Sequence, residues 1–191
     1  VVDTANGTAS IVAEEVYNMF KNVELVPLYT DSNPDFPNHH PDPSVEANNK
    51  DLKAKVLETN ADLGIGIDGD GDRVGIIDEK GNMIYIDFYA IIIWRDIMSK
   101  VENKNALFDV KCTKSLPDEI IKLGGTPVCY RTGNSYMKAK MREGDFAFGA
   151  ELSGHVFFRD HKWDNIDDGL YAGLRLVEIL SKTDKSVSEL L

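Results

Sequence analysis

Residues 63–78 read L-G-I-G-I-D-G-D-G-D-R-V-G-I-I-D. The runs Leu63–Ile67 and Val74–Asp78 have the length and apolar character of buried strands. Between them Asp68, Asp70 and Asp72 alternate with glycines, and Arg73 follows directly. Any fold of this chain must therefore bury two strands around a turn that crowds three carboxylates. Like charges this close repel unless a cation sits among them. On a straight strand, positions i, i+2 and i+4 spread over about 13 Å, too far to share one ion. Gly69 and Gly71 remove the steric bar to curling, so the carboxylates can converge. Donors that are all oxygen select a hard cation, Mg²⁺ or Ca²⁺, over zinc.

Three rival readings of this loop are weaker. An EF-hand nearly fits, since Glu79 stands twelfth counting from Asp68, but the sixth position is Arg73 where a glycine is required, and strands flank the loop in place of helices. An aspartyl-phosphate phosphatase would place its D-x-D after the first strand of its domain, whereas this one follows the third. A solvated acidic turn leaves unexplained why three carboxylates are pinned between apolar strands. Arg73 adds a guanidinium able to hold a phosphate beside the ion, and a metal with an arginine suggests phosphoryl transfer.

The rest of the chain alternates strands with helices. Strand patterns fall at Val1–Thr4, Val23–Tyr29, Leu63–Ile67 and Val74–Asp78, and helical patterns fall between them. Ser10 is read as the cap of a helix whose Val12, Val16 and Met19 share a face; Leu52 and Val56 mark a second helix, and a third runs from about Asp87 through Ile97. After the polar stretch Val101–Asn105 the order restarts: strand Ala106–Val110, helix Leu116–Leu123, strand Thr126–Arg131, helix Ser135–Met141, strands Phe146–Ala150 and His155–Arg159, helix Leu170–Leu180. In the last helix Leu170, Leu174 and Val177 lie on one face, and Asp167-D-G169 supplies an aspartate cap. The expected fold class is α/β, two similar domains in tandem, each a mixed sheet with flanking helices: residues 1–101 with the metal loop and 102–191 with a second loop, Gly149-A-E-L-S-G-H155. Both loops fall between the third and fourth strands of their half.

A content of 42% hydrophobic and 28% charged residues is that of a globular chain rather than a disordered one. The net charge of −11 argues against nucleic acid, which needs a basic face. The apolar run Tyr89–Trp94 is too short to cross a bilayer, and no leader pattern opens the chain. Cys112 and Cys129 suggest a reducing, cytoplasmic setting and read as plain buried thiols. Because Val1 opens inside a strand pattern without a methionine, a segment of a longer protein is expected.

Phe36-P-N-H-H-P-D-P43, Ala61-D-L-G-I-G-I-D-G-D-G-D-R73, Phe108-D-V-K-C-T113 and Glu151-L-S-G-H-V-F-F158 together resemble the α-D-phosphohexomutases, and within them the bacterial phosphomannomutase/phosphoglucomutase branch. The resemblance covers the middle two domains of a four-domain family. It implies that a phosphoserine on a missing domain passes its phosphoryl group to a hexose phosphate through a bisphosphorylated sugar, interconverting 1-phosphate and 6-phosphate. By similarity, Asp68, Asp70 and Asp72 hold Mg²⁺, Arg73 neutralises the travelling phosphoryl group, and Glu151 and Ser153 read the hydroxyls at carbons 3 and 4. Lys111 and His155 match positions that move a proton near the reacting oxygens. Without the phosphoserine and phosphate-binding domains, this chain alone is not expected to be an active mutase.

The branch usually carries a histidine where this chain has Asn134, which cannot exchange a proton near neutrality, and methionine is common in place of Leu152. The preferred sugar is left open, phosphoglucosamine included. A module that binds a structural Ca²⁺ without catalysis stands as the alternative class. His39 and His40 are read as loop residues outside any metal site.

Overall fold

The computed structural model describes residues 1–160 and 166–191. In chain order the elements are β1 (Val2–Asp3), α1 (Ala13–Asn18), β2 (Pro27–Leu28), α2 (Lys50–Thr59), β3 (Leu63–Ile67), β4 (Val74–Asp78), β5 (Met83–Ile84), α3 (Ile86–Ile97), β6 (Asn105–Asp109), α4 (Ser115–Lys122), β7 (Thr126–Tyr130), α5 (Asn134–Gly144), β8 (Phe148–Ala150), β9 (Val156–Phe158), β10 (Ile166–Asp167) and α6 (Gly169–Leu180). They form two five-stranded sheets, ordered β2-β1-β3-β4-β5 and β7-β6-β8-β9-β10. In each sheet the first three strands are parallel and the last two join antiparallel. One topology is thus built twice, as the order of elements in the sequence predicts.

The chain divides into two compact units, one holding Val1–Ile84 with Asp168–Leu190 and the other Tyr85–Asp167. The sequence reading sets the boundary at residues 101–102; the compact units part between Ile84 and Tyr85 instead. The cause is packing. Helix α3 lies on α4 and β8, with the buried Trp94 ring edge-on to Phe148 at 5.6 Å. Helix α6 lies on β3 and β4 of the first unit.

The glycine alternation of residues 63–78 is explained by what covers each face of the first sheet. Pairing places Gly64 opposite Ile77 and Gly66 opposite Gly75, while Ile65 and Ile67 face Ile76 and Val74 on the other side. A Cβ at Gly64 would lie 2.7 Å from Val56 of α2, and one at Gly75 would lie 2.7 Å from the Pro43 carbonyl oxygen and 2.8 Å from its Cβ. Those glycines are the space into which α2 and the loop through Pro43 settle. On the other face α6 approaches Ile65 through Gly173, where a Cβ would come within 2.9 Å of that side chain.

Two helix faces differ from expectation. Ser10 does not cap α1; it sits in a 3₁₀ turn, Thr8–Ile11, with its hydroxyl 2.8 Å from that of Thr4. Helix α1 buries Ala13 and Tyr17, leaving Val12 and Met19 exposed. Tyr17 is favoured inside because its hydroxyl can donate to the Leu170 carbonyl, 3.3 Å away. In α6 the buried face is Ala172, Gly173, Leu176 and Ile179, with Leu170, Leu174 and Val177 only half-buried. The short distance to the sheet selects the small residues. The aspartate cap is present: the Asp168 carboxylate accepts from the Tyr171 N–H at 3.0 Å. The strand expected over residues 23–29 contracts to Pro27–Leu28. Of the two thiols expected to be buried, Cys112 is half-buried and Cys129, on the edge strand β7, is exposed. Among the described residues no helix is long and apolar enough to cross a membrane.

Two stability predictions arise from this packing. Gly75→Ala relieves the roughly 0.5–1 kcal/mol penalty of a strand glycine but overpacks against the Pro43 backbone, a cost of about 1–3 kcal/mol. Overpacking wins, and urea denaturation should show a lowered midpoint; an unchanged or raised midpoint would contradict the packing account. The second concerns Glu79. Burial alone would raise its pKa, but the hydroxyl and N–H of Ser188 donate to the carboxylate and hold it at about 2. The folded value lies below the ordinary 4.5, so this contribution is complete above that value and is lost as pH falls through about 2. Glu79→Gln should therefore flatten the acid limb of stability against pH in that window, read by denaturation at a series of pH values. A limb as steep as the wild type would refute it.

Candidate functional site

In each unit the first strand of the sheet has parallel neighbours on both sides, and loops from its carboxyl end and from that of the third strand converge there. Each unit places buried acids at this point. Strand β1 ends on Asp3 and β3 is followed by Asp68; β6 ends on Asp109 and β8 is followed by Glu151.

In the first unit Asp68 is 1% exposed. Its Oδ1 accepts from the N–H groups of Gly71 (3.0 Å) and Arg73 (3.1 Å), and Oδ2 accepts from Arg73 Nε at 2.6 Å. Gly71 takes φ +87°, a conformation that a residue with a Cβ rarely adopts, and this curls the turn. Three other segments hold it: Thr8 N–H donates to the Gly69 carbonyl (2.9 Å), Gly69 N–H to Pro41 (3.3 Å), and Gly169 N–H to Gly71 (2.9 Å). The convergence expected from the glycines is present, with carboxylate oxygens of Asp68, Asp70 and Asp72 within 4.8 Å of one another. Burial and the neighbouring Asp68 carboxylate push Asp70 above the usual range. Three convergent carboxylates supply oxygen ligands, which fit a hard cation.

Arg73 does more in the structure than its sequence position suggests. Its guanidinium spans Asp68 and Asp42, with Nη1 3.1 Å from Asp42 Oδ1. Burial opposes the charge, but these carboxylates outweigh it and raise the Arg73 pKa. Burial would likewise raise Asp42, yet the Ser44 hydroxyl and N–H, with Arg73, hold it below the usual range. Asp42 was not singled out by sequence reasoning, although it lies in the F-P-N-H-H-P-D-P stretch. Nor was the contact of His39, whose Nε2 lies 3.0 Å from Asp3 Oδ2 while its Nδ1 lies 3.0 Å from the His40 carbonyl oxygen. The hydrogen bond to Asp3 raises the His39 pKa against the opposing effect of burial.

In the second unit the turn from β8 to β9 closes through Glu151 N–H to the His155 carbonyl (2.9 Å) and Gly154 N–H to the Glu151 carbonyl (3.1 Å), with Gly154 at φ +110°. Ser153 sits half-buried within this turn. The Glu151 side chain, in a residue 1% exposed, accepts from the Gly133 N–H. Burial raises its pKa against that donor. Asp109 takes the Thr132 hydroxyl on Oδ2 (2.7 Å) and the Cys112 thiol (3.2 Å) and Leu152 N–H (3.3 Å) on Oδ1. Lys111 Nζ lies 3.8 Å from Asp109 Oδ2 with its side chain about half exposed. Burial and Asp109 push the Cys112 thiol up, so it is a poor nucleophile.

His155 Nδ1 lies 3.1 Å from Asp167 Oδ2. That carboxylate also takes the Asn134 amide on Oδ2 and pairs with Lys138 on Oδ1. Burial would raise Asp167, but His155 and Lys138 overcome it and hold the group low. The sequence points to Lys111, Glu151, Ser153 and His155 but not to their neighbours Asp109, Lys138 and Asp167. In the sequence Asp167 reads as part of a helix start, and the antiparallel pairing of β10 with β9, Asp167 opposite Phe157, brings it to His155.

The family model described as phosphoglucomutase/phosphomannomutase alpha/beta/alpha domain II matches residues 1–81, and the model of domain III matches residues 86–191. The phosphomannomutase/phosphoglucomutase of Pseudomonas putida is 42% identical over 190 residues, covering 100% of this chain and 41% of that protein. Its counterpart from Pseudomonas aeruginosa is 44% identical over 185 residues, covering 97% of the chain and 40% of the relative. A crystal structure of a phosphoglucomutase/phosphomannomutase family protein from Burkholderia thailandensis superposes with a TM-score of 0.93 at 41% identity, over 99% of this chain and 41% of that one. The chain thus spans about two fifths of the length of these relatives. With family models matched across both halves, this chain belongs to the phosphoglucomutase/phosphomannomutase family and carries its domains II and III.

Proposed function

We propose that the chain is part of a phosphohexomutase that interconverts the 1-phosphate and 6-phosphate of mannose or glucose, through a phosphoserine enzyme and a bisphosphorylated sugar. The observation that carries this reading is the pair of turns at equivalent places in two sheets of one topology, one crowding three carboxylates and the other presenting Glu151, Ser153 and His155. In this reading Asp68, Asp70 and Asp72 hold Mg²⁺, which when bound polarises a phosphoryl oxygen and offsets its charge. Arg73, anchored between Asp68 and Asp42, adds a fixed positive charge beside that position.

Glu151 accepts hydrogen bonds from the hydroxyls at sugar carbons 3 and 4, and the tight turn presents Ser153 and His155 alongside. Contacts limited to those carbons leave carbon 2 unread, so both epimers bind. His155 and Lys111 move the proton at the reacting sugar oxygen. The phosphoserine donor and the principal phosphate grip belong to other domains of the parent protein, so turnover needs them. A reducing, cytoplasmic setting suits the free thiols Cys112 and Cys129.

Asp70→Asn should abolish most Mg²⁺ binding while leaving the fold intact, because the lost carboxylate also relieves repulsion. Calorimetric titration of the chain measures this, and unchanged affinity would remove Asp70 from the ligand set. In the full-length parent, Glu151→Ala should weaken use of glucose and mannose phosphates alike. A hydrogen bond to a charged group is worth about 1.5–3 kcal/mol, so kcat/KM should fall about 10- to 100-fold for both. A loss confined to one epimer would show that the turn reads carbon 2, and a wild-type parent inactive on both sugars would overturn the function.

A further inference from the structure

We propose that Asp167 is a positioning residue which, braced by Asn134 and Lys138, fixes His155 in the tautomer carrying its ring proton on Nδ1 and so makes Nε2 the proton acceptor. The catalytic half of this inference rests on the function proposed above; the tautomer half stands on geometry alone.

Asp167 Oδ2 lies 3.1 Å from His155 Nδ1, and Asn134 Nδ2 lies 3.3 Å from it. A carboxylate can only accept a hydrogen bond and an amide nitrogen can only donate one. If Nδ1 carries the proton it donates to Asp167, and the Asn134 amide sends its own N–H to the same carboxylate, as observed. If Nδ1 were bare, its lone pair would face a carboxylate oxygen at 3.1 Å, beside a neutral amide already engaged by that oxygen. A charge-assisted bond is roughly twice as strong as a neutral one, so the first arrangement prevails. Turning the Asn134 amide over does not rescue the second, since it would bring the amide oxygen against Asp167 Oδ2.

The remaining contacts keep this carboxylate ionised and still. Lys138 pairs with Oδ1, the Asp167 side chain is 4% exposed, and the depressed Asp167 pKa agrees with a permanently charged group. The His155 ring is itself confined, stacked on Phe157 with 14° between planes and only 16% of its side chain exposed. A neutral imidazole protonated on Nδ1 has its basic lone pair on Nε2, on the opposite edge of the ring from Asp167. Asn134 offers no titrating proton, so it acts here as a fixed donor to the carboxylate.

Ring-nitrogen NMR of the ¹⁵N-labelled chain tests the assignment, at mildly alkaline pH where imidazoles are neutral, with His155→Gln identifying the signal. The expected wild-type spectrum shows a protonated Nδ1 and a bare Nε2. Asp167→Ala should shift His155 toward protonation on Nε2, and Asn134→Ala should shift it in the same direction by less. Should Asp167→Ala fail to fold, Asp167→Asn, which keeps the shape and removes the charge, should still give a mixture of tautomers. A bare Nδ1 in the wild type, or an unchanged tautomer in every Asp167 variant, would overturn the proposal.

In the full-length parent, Asp167→Asn should lower kcat by about 100-fold, within the usual range for general acid–base catalysis, with little change in KM. A change in KM alone would overturn the catalytic half. An inactive wild-type parent with the expected tautomer would sink the proposed function and leave the tautomer assignment standing.

Discussion

The carboxylate of Asp68 organises the first unit's turn. An ionised group this deeply buried is costly unless it is both paired and hydrogen-bonded, and removing one partner of such a pair typically costs about 3–5 kcal/mol. Asp68 meets both conditions through two turn N–H groups and the Arg73 guanidinium. Those bonds fix how tightly residues 68–73 curl, and the curl determines where Asp70 and Asp72 project. Arg73 extends the arrangement to Asp42, so the loop through Pro41–Pro43 is tied to the turn by charge as well as by its contact with Gly75.

The two units use one frame for different ends. Each puts a buried acid at the carboxyl end of its first parallel strand and another just past its third, where several loops can reach a common point. In the first unit the third-strand acid is joined by two more carboxylates, and burial together with the Asp68 carboxylate raises Asp70. In the second the third-strand acid is Glu151, bonded to the Gly133 N–H, and the nearby charges are mixed: Lys111, His155 and Asp109 all act on it. The first turn concentrates charge of one sign, whereas the second sets charges of both signs around one carboxylate.

The interplay of glycine and bulk gives the frame its shape. Glycines in β3 and β4 admit α2 and Pro43 on one face, and a glycine in α6 admits Ile65 on the other. Close approach on both faces leaves the strands buried throughout, which explains why their sequence is apolar at nearly every position instead of alternating.

Much of this was legible in the sequence because it depends on local chemistry. The apolar runs around residues 63–78, the alternating aspartates and glycines and the repeated order of elements specify two α/β sheets and a turn on which three carboxylates converge, since strand length, charge spacing and turn freedom are properties of a few consecutive residues. Non-local pairing was not legible. The burial of Ala13 and Tyr17 in place of Val12 and Met19, the small-residue face of α6, and the placement of α3 and α6 are set by the shapes of partners distant in sequence. The same holds for the polar contacts of Arg73 with Asp42, His39 with Asp3, and His155 with Asp167. A hydrogen bond needs both groups within about 3 Å, and only the folded sheets bring residues 31, 36 and 12 positions apart into that range.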